Sequence, residues 1–128
     1  MSRGLILFAH GARDARWAEP FEAIAARARA LQPGWDVRVA FLELMTPTLA
    51  DAGAAMVASG RTQVDIVPLF LGTGGHVRED LPALLKALRV AHPDVRWRLH
   101  AAIGEQPEVI DAIALAATNL LRDNESAP

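Results

Sequence analysis

Apolar and polar positions alternate along this chain in two textures. Four short, β-rich apolar runs recur at intervals of roughly thirty residues, the length of a βα unit. They are LILFA (5–9), DVRVAFLE (36–43), QVDIVPLFL (63–71) and VRWRLHA (95–101). The first and third are nearly continuous in apolar residues, as strands covered on both faces are. The second and fourth alternate with arginine, as strands nearer a sheet edge do. Between the runs the period lengthens to that of a helix. Trp17, Phe21, Ile24, Ala28 and Leu31 step by four and three onto one face, and Pro33-Gly34 ends that helix. Thr46 and Pro47 read as the N-cap and first turn of a second helix, which buries Leu49, Ala52, Met56 and Val57 and stops at Gly60. Asp80 caps a third, with Pro82 in its first turn, Leu81, Leu84, Leu85 and Leu88 as its stripe, and His92-Pro93 at its end. Pro107 opens a fourth, with Ile110, Ile113, Ala117, Leu120 and Leu121 turned inward.

The resulting order, βαβαβαβα, predicts an α/β fold: one four-stranded, mainly parallel sheet with helices on both faces and right-handed crossovers. Residues 1–122 read as that single domain and 123–128 as a polar, frayed tail. A length of 128 residues suits one domain. Hydrophobic residues make up 52% of the chain, slightly rich, which leaves apolar surface for a partner chain. The absence of cysteine excludes disulfides, thiolate metal sites and a Cys nucleophile. A net charge of −2, few aromatics and no basic stripe argue against nucleic acid as a partner. The apolar run at 4–9 is too short for a signal-peptide core or a membrane span, so a cytoplasmic protein with no membrane contact is expected.

Ligands of parallel α/β sheets bind beyond the carboxyl ends of the strands. His10 follows the first run, Glu43 ends the second, and His76 follows the third within LFLGTGGHVRED, so all three belong to one sheet edge. Two imidazoles and a carboxylate converging from three loops suit a borderline divalent ion such as Co2+, Fe2+ or Ni2+. The same groups can accept protons near neutral pH. Gly72, Gly74 and Gly75 are expected to take positive φ and to let a bulky ligand approach. Arg13, Arg16 and Arg78 flank the two histidine motifs, where they can meet carboxylates of a ligand. Each feature has a plainer reading. A histidine after a strand can be a hydrogen-bonded loop residue, Glu43 can cap the following helix, and single arginines are ordinarily solvated surface. GTGG lacks the Lys-Ser/Thr of a phosphate-binding loop. His92, at a helix C-terminus, reads as structural, and His100 stays undecided.

LILFAHGARD, VAFLELMTPTL and VPLFLGTGGHVREDLPALL together resemble the short, single-domain sirohydrochlorin chelatases, the class II cobaltochelatase/ferrochelatase family. The resemblance runs in order from about Gly4 to Pro107. It implies ATP-independent insertion of Co2+, Fe2+ or Ni2+ into sirohydrochlorin on the way to cobalamin, sirohaem or the nickel tetrapyrrole. The metal is then a substrate, and no organic cofactor is expected. His10 and His76 correspond to the family's metal-binding and catalytic histidines and Glu43 to its active-site carboxylate. Arg13, Gly74, Gly75 and Arg78 take the place of substrate contacts. One departure shows: Ala12 stands where the family's first motif carries serine.

Three rivals are weighed against that reading. A histidine phosphatase needs Arg directly before the first-strand histidine, where Ala9 stands. A serine hydrolase has no candidate among Ser2, Ser59 and Ser126 and no G-x-S-x-G. A non-catalytic metal or tetrapyrrole carrier needs the same ligands as a chelatase. A single βα sheet edge is also a shallow floor for a wide macrocycle. Larger members of the superfamily resemble two such domains facing each other, so a homodimer with facing His10/His76 edges is expected, with Trp17, Phe70 and the Ala-rich helices as interface material.

Overall fold

The computed structural model describes residues 3–126, apart from the side chains of His76 and of residues 124–126. Four strands, β1 (Arg3–Ala9), β2 (Asp36–Phe41), β3 (Gln63–Pro68) and β4 (Arg96–Leu99), alternate with α1 (Ala18–Leu31), α2 (Leu49–Ala58), α3 (Gly75–Ala91) and α4 (Pro107–Ser126). The sheet is fully parallel, in the order β2-β1-β3-β4. The two runs that read as doubly covered are the central strands, and the two that alternate with arginine are the edges.

One face of the sheet carries the larger core. Ile6, Phe8, Val64, Ile66 and Trp97 pack there against Leu49, Ala52 and Met56 of α2 and Leu81 and Leu88 of α3. On the other face Leu7, Ala9, Val37, Val39 and Phe41 pack under α1 through Ala25. The helix stripe differs from the sequence reading here. Ala18, Phe21, Ala25 and Ala28 face the sheet, while Trp17, Ile24 and Leu31 are exposed. Small residues bring α1 close to β1 and β2, and the large ones fall to its flanks.

Two helix starts also differ. The N-cap of α2 is Thr48, not Thr46: its Oγ1 accepts from Asp51 N at 3.2 Å and the Asp51 carboxylate accepts from Thr48 N, a capping box. Thr46-Pro47 is a cis peptide before that cap. Helix α3 begins at Gly75 with Gly74 as N-cap, so Asp80 and Pro82 lie inside it. Its stripe of Leu81, Leu84, Leu85 and Leu88 packs continuously against the core, which carries the helix past the proline.

The largest departure is α4. Its apolar stripe forms as the periodicity predicts, but Ile110, Ile113, Leu120 and Leu121 are 48–67% exposed instead of inward. The helix continues through residues 123–126, which the sequence reading assigns to a frayed tail; residues 127–128 lie outside the described residues. On the α1 side of the sheet, β3 and β4 have no helix over them. Asp65 and Val67 are half-buried there, and Arg96 and Arg98 are exposed.

Candidate functional site

The ladder runs past each strand end into the carboxyl edge. Leu42 N donates to Ala9 O at 2.8 Å, Leu69 N to Phe8 O at 2.7 Å and His100 N to Ile66 O at 2.9 Å. These bonds fix the roots of the loops that carry the sequence-predicted residues. His10 directly follows β1, and Glu43 lies two residues beyond β2.

Glycine at position 11 makes the closest approach. A Cβ there would overlap the Glu43 carbonyl oxygen and lie 2.6 Å from the Glu43 carbonyl carbon. No side chain fits, so only glycine lets the loop after His10 rest on the backbone of Glu43. The following residue, Leu44, turns the chain at φ 63, and Met45 N donates to Glu43 O at 2.8 Å. The Glu43 side chain is exposed, and the cap of the following helix is made by Thr48 and Asp51 instead.

His10 is half-buried and held from two sides. Its ring stacks on Phe70, with centroids 4.2 Å apart and planes at 27°. Its carbonyl oxygen accepts from Trp17 Nε1 at 2.6 Å. Neither aromatic is singled out for the site by the sequence reading, which places both among candidate interface residues. Phe70 is in fact 4% exposed and belongs to the core beneath His10. The available signal was its place just past a strand end that also carries the glycine-rich loop.

His76 lies in the first turn of α3 by its backbone, and its side chain is outside the described residues. Among the described residues, no three His, Cys, Asp or Glu side chains converge as a metal site. Gly72, Gly74 and Gly75 do not take positive φ: only Gly60, at φ 82, does so among the described glycines, and it ends α2 as expected. A Cβ at positions 72, 74 or 75 meets nothing within 4 Å, so that stretch borders open space.

Of the flanking cations, Arg13 and Arg78 are exposed. Arg16 is tied to Asp14 instead, through Nη2–Oδ2 at 2.8 Å and Nε–Oδ1 at 3.2 Å. The Arg16 side-chain bond, then its backbone N–H, holds the Asp14 carboxyl below the usual carboxylate range, and the same partner raises Arg16. Beside Arg13 an open hollow of about 540 Å³ is lined by Ala12, Leu44, Met45 and Thr46. The other two histidines lie apart. His92 caps α3 at its C-terminus, with its ring tilted against Trp97. His100 Nε2 lies 2.8 Å from Asp65 Oδ1, on the sheet face that α1 leaves open.

Comparison with known proteins agrees with this architecture. A sirohydrochlorin cobaltochelatase of Methanococcoides burtonii is 34% identical over 83 residues, which is 65% of this chain and 63% of that protein, so the match spans less than two thirds of the relative's length. The crystal structure from Marinobacter aquaeolei VT8 described as a CbiX protein of cobalamin (vitamin B12) biosynthesis superposes with a TM-score of 0.84 at 35% identity, covering 94% of this chain and 98% of that one. The sirohydrochlorin chelatase SirB of Bacillus subtilis subspecies spizizenii, in complex with cobalt, gives 0.80 at 26% identity, with 93% of this chain lying on 51% of SirB. The sequence profile of the CbiX family matches residues 4–119, and the chain belongs to that family.

Proposed function

We propose that this chain inserts a divalent metal, Co2+ with Fe2+ or Ni2+ as alternatives, into sirohydrochlorin without ATP. The observation that carries the reading is the seating of Gly11 on the Glu43 carbonyl, which sets an imidazole loop and a carboxylate loop against each other at the carboxyl edge of the sheet. Insertion has two demands: the ion must exchange water for ring nitrogens while still coordinated, and two pyrrole N–H protons must leave. His10 holds the ion from one side and His76 from the first turn of α3, and both release it to the macrocycle. Glu43, whose side chain is exposed, accepts protons or completes the ligand set. The stack on Phe70 and the bond from Trp17 Nε1 fix the His10 plane and backbone, so little order is lost when the ion binds.

Sirohydrochlorin carries many carboxylates. Arg13 and Arg78 receive them at the rim, Arg16 being neutralised by Asp14, and the open stretch at Gly74 and Gly75 admits the ring. Two copies of the chain meet with these edges facing, so that the ring gains a second wall.

The test is turnover. Purified chain is mixed with excess sirohydrochlorin and each metal in turn, and absorbance reports metallated ring. Many rings per chain are expected. Saturation at one ring per site identifies a carrier and overturns the proposal.

A further inference from the structure

We propose that Leu44 and Leu71, standing on either side of His10, are the apolar supports on which the flat face of the macrocycle rests. The inference deepens the chelatase reading and rests on it.

Other large apolar side chains at the carboxyl edge are claimed by the cores. Phe70 lies beneath His10, and Leu42, Met45 and Leu69 each pack against one core or the other. Leu44 and Leu71 belong to neither core and are 61% and 75% exposed. Leu44 lies beyond the end of β2, His10 beyond β1 and Leu71 beyond β3, and the sheet order sets β1 between the other two. Neighbouring strands lie about 4.8 Å apart, so the two leucine loops leave the sheet about 10 Å apart with His10 between them.

Each leucine is delivered by a pinned backbone. Gly11 rests on the Glu43 carbonyl, one residue before Leu44. Gly104 does the same for Leu71: a Cβ there would overlap the Leu71 carbonyl oxygen and lie 2.6 Å from its carbonyl carbon. Gly104 N also donates to Phe70 O at 2.9 Å.

Leu44 is held at a cost as well. Met45 N donates to Glu43 O across it at 2.8 Å, with Leu44 at φ 63. Such a bond around a central residue at positive φ makes a γ-turn of the rarer, strained kind. Glycine or asparagine takes that conformation more cheaply than a branched leucine. Among the described residues Leu44 is the only non-glycine at positive φ. Its flanks, Leu42 and Met45, anchor in opposite cores, so the turn throws the leucine outward. A strained leucine that joins neither core points to a contact outside its own chain.

The surroundings fit a flat apolar ring fringed with acids. Leu44 shares its hollow with Ala12, Ala15, Met45 and the exposed Arg13. Leu71 opens onto the stretch where a Cβ at Gly72, Gly74 or Gly75 meets nothing within 4 Å. A ring resting on both leucines is shielded from water on one face, while its carboxylates reach Arg13 and Arg78.

The test titrates metal-free sirohydrochlorin into the chain for Kd, by ring absorbance, and follows Co2+ insertion for KM and kcat. Leu44→Asn keeps a left-handed turn and removes the apolar branch. It should melt at or above the wild type and bind the ring at least ~10-fold more weakly, with the loss falling on KM more than on kcat. Leu71→Ser should weaken the ring likewise, and Leu44→Met should recover most of the affinity. If both polar variants bind the ring as tightly as the wild type, the supports are overturned, and insertion by the wild type then leaves the chelatase reading standing. A wild type that binds the ring and inserts no metal overturns that reading, while weaker binding by the two variants upholds the supports. A Leu44→Asn chain that melts several degrees lower at unchanged Kd assigns the leucine to the fold and overturns its role.

Discussion

Replacing Gly11 by alanine adds one methyl group at the point where two loops touch. Carbon–carbon contacts settle near 3.5–4.0 Å, whereas the new Cβ would lie 2.6 Å from the Glu43 carbonyl carbon and overlap its oxygen. The obstacle is backbone on both sides, so no rotamer relieves it, and the loops must part by about 1 Å or more. His10 and Glu43 move apart with them. A displacement of ~1 Å in a reacting constellation costs on the order of 10²-fold in rate, equivalent to about 2.7 kcal/mol of barrier. The strain on folding is that of an overpacked site, about 1–3 kcal/mol. Gly11→Ala should therefore remain folded at 25 °C, melt lower, and show kcat/KM for metal insertion down roughly a hundredfold. Gly34→Ala is the control: a Cβ there meets nothing within 4 Å, at no positive φ, so both rate and stability should hold. Insertion by Gly11→Ala at the wild-type rate would refute the argument that this contact sets the site.

The other predictions concern single groups. His10→Ala, His76→Ala and Glu43→Gln should each fold and lose at least ~10²-fold in insertion rate, whereas His92→Ala, at the far end of α3, should retain it; stopped absorbance traces on folded protein decide. Asp36 accepts from Arg38 at 2.9 and 3.0 Å and from Arg61 at 3.2 Å, tying β2 to the segment after α2. Partial burial pushes its carboxyl up, but the bonds and charges of Arg38, then Arg61, outweigh it and hold the group below the ordinary 3.8. A lowered carboxylate stabilises the fold above its unfolded value and loses that stabilisation as pH falls through the still lower folded one. Asp36→Asn should therefore cost about 1–2 kcal/mol at pH 7 and flatten the loss of stability below pH 4, measured by urea unfolding across pH, with insertion unchanged.

The sequence carries more of the architecture than of the boundaries. Strand order is legible because burial writes itself into composition: LILFA is apolar without interruption and VDIVP is broken only by Asp65, while Arg38, Arg96 and Arg98 interrupt the edge strands. Helix starts are less legible. TPTL offers two threonines as caps, and the Asp three residues after Thr48 selects the second. Pro82 suggests a start nearby, but a leucine stripe on both sides of it sustains α3. At the proposed site, the strand-end rule points to His10, Glu43 and the glycine-rich loop. It does not find Phe70 and Trp17, since contacts made across the chain leave no local period. It also counts Arg16 as free, because the turn that brings Asp14 beneath it appears only in three dimensions. The periodicity of α4 marks its apolar face but not its exposure, since Ile110, Ile113, Leu120 and Leu121 lie 48–67% exposed.

Strand β4 is an open edge of the sheet, and it is only four residues long. Its row of unpaired backbone groups could in principle template another strand, the route by which sheet proteins join into continuous ribbons. Two exposed arginines, Arg96 and Arg98, stand on one side of that short strand. Pairing β4 with its own copy across a two-fold axis would bring these cations face to face, and like charges on opposed strands repel. At the opposite edge, the last residue of β2 is already bonded to its own chain, since Phe41 N donates to Pro47 O at 2.9 Å. Both edges of the sheet thus carry a feature that opposes growth by strand addition.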